Sequence, residues 1–301
     1  MRNKSKNSLY ATKSLHIMLL PAVFFVLVFA YLPILGIVMA FQEYKPLLGF
    51  TNSKFVGLEQ FRYIFSLPSF WNAFNNTFII ALWKIILSII VPLILALLLN
   101  EVARSWYKRT VQTVIFIPFF FSWAILAGMV LEIFSYTGVI NEVIAVMGGE
   151  QIPFLIKNEY FRTILIASDV WKNMGYNTVL FLAAIATIDP TLYEVAQVDG
   201  AGKWKQLTAI TLPSITSMIV LITILGLGGI LNAGFEQILI MYNPMVERTS
   251  DILDTLVYRL GISSMQYSAA AAMGLFKSIV AMVFVGGSYW IAYKTTEYRV
   301  F

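Results

Sequence analysis

Asp169, Lys172, Asn173, Tyr176 and Asn177 lie in one long apolar stretch at intervals of three and four, so a helix there carries a polar strip along one face. Groups of this kind pair charges and exchange hydrogen bonds. Asp169 and Lys172, three apart, are expected to neutralise each other, and Trp171 adds an aromatic ring close by. A later stretch holds Asn232, Glu236 and Gln237. Together these side chains suit a cavity that reads the hydroxyls of a polar solute against flat apolar walls. They equally suit hydrogen-bonded contacts between packed helices, and both uses stay open. Lys84 and Lys277 also fall inside apolar stretches, near the ends expected to face outward, where snorkelling is the simpler reading. Bond-making chemistry has little to draw on. The chain has no cysteine and one histidine, His16, placed where a basic leader meets the first apolar run. Neither an HExxH nor a GxSxG pattern occurs, and no Walker A pattern is present to hold ATP.

The elements that must position these residues are set by hydropathy. The 301-residue chain is 59% hydrophobic and 12% charged, far from a soluble composition. A helix needs about 20 apolar residues to cross a bilayer. Six stretches qualify, at about 17–41, 77–99, 111–134, 161–187, 214–241 and 270–293. They lack the alternation of barrel strands, so the predicted fold is an all-α integral membrane protein with six transmembrane helices. Residues 1–16 form a leader and 17–301 one membrane domain. The first apolar run is too long for a cleavable signal and is kept as a span. Lys and Arg concentrate in the leader, near Arg104, Lys108 and Arg109, at Lys203 and Lys205, and at Lys294 and Arg299, which puts both termini in the cytoplasm. The net charge of +5 therefore reads as topology and not as a nucleic-acid surface. No internal repeat joins the two halves, which weighs against the inverted repeats of many ion-coupled secondary transporters, the alternative reading of the chain. Glycines 226, 228, 229 and 234 mark close packing or a flexible point in the fifth stretch.

The connector between the fourth and fifth stretches reads IDPTLYEVAQVDGAGKWKQLTAITLPS over 188–214. Asp189 or Thr191 can cap a helix whose first turn takes Pro190. Gly200 permits a bend after that helix, and a second helical stretch from Trp204 runs to Pro213. The segment resembles the EAA motif of ABC importer permeases: Glu-Ala-Ala, three residues, Gly, nine residues, Ile, one residue, Leu-Pro. Glu194, Ala196, Gly200, Ile210, Leu212 and Pro213 fall on those positions, and Val195 replaces the middle alanine. Asp199, Ala201 and Trp204 match the pattern common in sugar-uptake members. FVGLEQF at 55–61, NNTF at 75–78, ALLLNEV at 96–102, FIPFFFSW at 116–123, SDVWKNMGYNT at 168–178 and LNAGFEQI at 231–238 are similar to the polysaccharide and complex-oligosaccharide branch of these permeases.

The resemblance implies a type I importer in the bacterial cytoplasmic membrane. Its parts would be two permease subunits, with a heterodimer favoured, two ATPase subunits and an extracellular solute-binding protein, and its cargo an oligosaccharide. ATP and Mg would be handled by the ATPase, with no cofactor in this chain. Glu194, Val195, Ala196, Asp199, Gly200, Ala201, Trp204, Leu212 and Pro213 would form the coupling loop that docks on the ATPase.

Overall fold

A computed structural model describes residues 4–228 and 230–296. Gly229 and Arg299, used above, lie outside the described residues. The chain divides into two compact units, Met1–Ser66 with Val257–Leu275, and Leu67–Leu256 with Phe276–Phe301.

In the first unit, α1 (Lys4–Val26) loosens into π- and 3-10-type turns through Phe41, where Pro33 removes one backbone donor. Within Leu15–Phe41 the side chains are almost all exposed, Ala40 being the buried one among the described residues. A short antiparallel pair follows, β1 (Gln42–Glu43) with β2 (Lys54–Phe55), in register Gln42 to Phe55 and Glu43 to Lys54. The Tyr44 amide donates to the Ser268 hydroxyl at 2.8 Å, and the Tyr63 hydroxyl lies 3.2 Å from the Gln266 side-chain oxygen. These bonds tie the hairpin and α2 (Glu59–Ser66) to the start of the last helix, α12 (Tyr267–Thr296).

The second unit is built on α3 (Pro68–Asn100) packed along α7 (Asn158–Ala186). Pro92 inside α3 frees the Ser88 carbonyl four residues back. The Asn177 amide of α7 donates to that oxygen at 3.0 Å, so the helix keeps its proline without an orphaned acceptor in the apolar interior. One buried cluster gathers Ile80, Phe161, Leu165, Ile238 and Met241, and a second gathers Ala96, Leu99, Phe181, Ile185 and Ile215. At Gly175 a Cβ would strike the carbonyl of Ile115, so glycine is what lets α7 cross α4 (Ser105–Phe116) backbone to backbone.

Leu15–Phe41, Pro68–Asn100 and Tyr267–Gly287 are each long and apolar enough to cross a membrane in one piece, and the total reaches six if each of three bent pairs is one span. Two of the expected spans are not continuous straight helices. The 111–134 stretch turns by 107° between Ser105–Phe120 and α5 (Trp123–Ile133). Pro118 sits in the tight Ile117–Phe120 turn before the break. The 214–241 stretch is interrupted: α10 (Thr216–Gly228) gives way to a short turn, and α11 (Phe235–Met241) starts after Gly234, which adopts φ +94°. The short α6 (Val139–Val146) lies between α5 and α7.

Candidate functional site

The α7 face does assemble a polar site, with different partners from those expected. Asp169 pairs with Lys84 of α3 at 3.2 Å, not with Lys172. Lys84 is 6% exposed and also donates to the Ala233 carbonyl at 2.8 Å and the Gln237 side-chain oxygen at 2.5 Å. Snorkelling is therefore wrong for Lys84: its ammonium points into a buried node. Gln237 continues the network by donating to the Leu165 carbonyl and the Ser168 hydroxyl, both at 2.8 Å. Asn173 donates to the Asp169 carbonyl at 3.0 Å and to its carboxylate at 3.4 Å. Gly234 belongs to the same node, because a Cβ there would lie 2.5 Å from the Lys84 ammonium. The break in the fifth stretch is what brings a carbonyl and Gln237 to the cation.

Beside this node lies a cavity of about 320 Å³ lined by Lys84, Asp169, Tyr176, Asn177, Ile222 and Gly226. Tyr176 is 42% exposed and stacks on Phe119, centroids 4.8 Å apart and planes 11° apart. Lys172 is occupied at the 107° bend: it donates to the Phe119 carbonyl at 3.2 Å and to the Phe121 carbonyl. Trp171 is half-buried and does not line the cavity, and neither do Asn232 and Glu236. Asn232 instead accepts from Lys277 at 2.9 Å, while Lys277 pairs with Asp254 at 2.5 Å. Snorkelling fails for Lys277 as well.

The second candidate site follows α7. Asp189 accepts from the Thr191 amide at 2.9 Å and opens α8 (Pro190–Val198). That bond, together with the side-chain bond to Thr191, holds the Asp189 carboxyl below the usual carboxylate range. The helix closes in a Schellman pattern. The Ala201 amide returns to the Ala196 carbonyl at 2.8 Å, the Gly200 amide to Gln197 at 3.0 Å, and Gly200 takes φ +70°. Gln206 of α9 (Lys203–Gln206) binds the Ala201 carbonyl at 2.9 Å, and the Tyr193 hydroxyl meets that of Thr211 at 2.9 Å. Lys203 reaches Glu101, at the end of α3, at 2.9 Å. These ties leave one face of α8 outward: Glu194 and Asp199 are exposed, Val195 is 61% and Val198 88% exposed, and Trp204 is 76% exposed. Leu212 is half-buried and Pro213 exposed, next to the 57° turn into α10.

The family described as the binding-protein-dependent transport system inner membrane component matches residues 88–295. The chain belongs to this family. As a member it is the translocation subunit of an ABC importer and has the type I permease fold. Protein LplB of Bacillus subtilis (strain 168) is 42% identical over 290 residues, covering 96% of this chain and 91% of that protein. The polygalacturonan/rhamnogalacturonan transport system permease protein YteP of the same strain is 41% identical over 274 residues, 91% of this chain and 85% of its own. A crystal structure of a bacterial ABC transporter involved in the import of the acidic polysaccharide alginate superposes with TM-score 0.90 at 36% identity, covering 98% of this chain and 100% of the matched one. A second alginate transporter structure, in complex with an alginate pentasaccharide-bound periplasmic protein, matches with the same TM-score and identity over 98% and 99%.

Helix spacing made the α7 face and the α8 segment visible in the sequence. Lys84, Gly234 and Ser88 were missed as site residues, while Gln237 was picked out with Asn232 and Glu236. A lysine in one span and an aspartate in another were the available signal for the first of them, since a buried charge demands a partner.

Proposed function

We propose that this permease subunit carries oligosaccharides across the bacterial cytoplasmic membrane, driven by a separate ATPase that docks on the α8 face. The exposed acidic and apolar face of α8, closed by Gly200 and tied back to α3 and α9, is the observation that carries the coupling reading. Two hydrophobic side chains left outward on a short helix, with Trp204 beside them, suit a groove on a partner protein. Glu194 would pair with a basic group there, while Ala196 and Gly200 keep the approach close. ATP and Mg belong to that partner. The relatives' cargoes support the substrate class, as does the cavity with its aromatic stack and polar wall. A homologous second permease would complete the path, six spans would place both termini in the cytoplasm, and a solute-binding protein would deliver cargo from outside.

An ion-coupled carrier would need a carboxylate free to gain and lose a proton within the membrane. Asp169 is the candidate, and protonating it would leave Lys84 buried beside a neutral group. The direct test is purification of the tagged chain in mild detergent with identification of what accompanies it. An ATPase and a second permease are expected with the wild type, and less ATPase with Glu194→Ala or Gly200→Leu. Recovery of equal ATPase with all three would remove α8 as the docking element.

A further inference from the structure

Three lysines lie in the apolar stretches, and two of them meet an aspartate: Lys84 with Asp169 and Lys277 with Asp254. Lys172 has no carboxylate partner among the described residues. Its contacts are the carbonyls of Phe119 and Phe121 and two aromatic faces, Trp123 at 5.6 Å and Phe119 at 6.0 Å. Carbonyl dipoles and ring faces orient an ammonium without cancelling its charge, and two acceptors use two of its three donors. A full cation at this depth is costly unless something anionic visits it.

The position has a built surround. Lys172 does not itself line the 320 Å³ cavity but stands one helical turn before Tyr176, which does. The Phe119–Tyr176 stack connects the two, so an aromatic platform runs from the cavity to the cation. With Asp169 answered by Lys84, the net charge left on this face is that of Lys172. The geometry points to Lys172 as a carboxylate-binding subsite in the translocation path, which takes an anionic saccharide and holds the uronate against the Phe119–Tyr176 platform. The inference rests on the reading of the chain as an oligosaccharide permease, and gives that cargo a charge.

The test is equilibrium binding to the purified permease complex in phosphatidylcholine nanodiscs, without solute-binding protein, over millimolar concentrations. The probes are trigalacturonate and its carboxyl-reduced counterpart, galactotriose. The wild type should prefer trigalacturonate by about tenfold or more, the worth of one charge-assisted hydrogen bond. Lys172→Met should erase that preference, and Lys172→Arg should keep it. Because Lys172 also holds the bend, Tyr176→Glu serves as a second variant: it sets a carboxylate one turn away, at an exposed position, and should likewise erase the preference. Equal binding of the two sugars by the wild type, or a preference that survives Lys172→Met or Tyr176→Glu, overturns the subsite. So does displacement of trigalacturonate by added phosphatidylglycerol, which would assign the cation to lipid. The parent reading is tested separately by uptake: a reconstituted importer that moves galactotriose while showing no acidic preference keeps the permease function and removes only this subsite.

Discussion

Lys84 holds together three pieces of chain that are far apart in sequence: α3, α7 and the break before α11. Removing one partner of a buried ion pair strands the other charge, at a cost of about 3–5 kcal/mol. Lys84→Met should therefore lower the unfolding midpoint in detergent sharply. Lys84→Met with Asp169→Leu should recover part of the loss, because no charge is then stranded. A double variant no more stable than the single one would show that the pair is not what holds these segments. Gly234→Ala should cost about 1–2 kcal/mol from its left-handed backbone alone and more from displacing the ammonium. The sequence displays Asp169 and Lys172 as neighbours because spacing along one helix is all it displays. Which span opposes α7 depends on packing, and the true partner sits 85 residues away.

At the scale of elements, the helix that ends at Gly200 was legible in detail: capping aspartate, first-turn proline and terminal glycine all occupy the positions their backbone chemistry requires. The broken spans were legible only in part. Pro118 and the glycines around 226–234 marked points where a helix could bend, but hydropathy averages over a window and carries no direction, so neither the 107° angle nor the complete break at Gly234 could be read. The Asp189 cap gives α8 a pH dependence with a definite sign. Its folded carboxyl titrates below the ordinary range, so the stabilisation is complete above the unfolded pKa and disappears as pH falls through the folded value. Hydrogen exchange corrected for intrinsic rates should show the first amides of α8 losing protection on acidification in the wild type. In Asp189→Asn that pH dependence should vanish; its persistence would assign the effect to another group. The α4–α7 crossing is equally specific. Gly175→Val should destabilise the protein by several kcal/mol through overpacking against the Ile115 backbone, read as loss of folded protein on size exclusion.

For the whole molecule, the arrangement joins a cavity in the bundle, with polar groups on one wall, to a surface helix at the end of α7. A connection of that kind is what a permease needs if a partner's movement is to alter access to the cavity, since coupling requires a state that both sites bias. Family membership and the overall architecture could be read from the 188–214 spacing and the motifs along the chain. The inward polar contacts needed coordinates. The central claim is that transport is driven through α8, and the most direct measurement is uptake of labelled oligosaccharide into proteoliposomes holding this chain with the second permease and ATPase proposed for it, with solute-binding protein supplied outside and ATP enclosed. Uptake should require ATP and fall at least tenfold in Glu194→Ala, with the cavity residues untouched. Uptake sustained by a proton or sodium gradient without ATP, and unchanged in Glu194→Ala, would contradict the account.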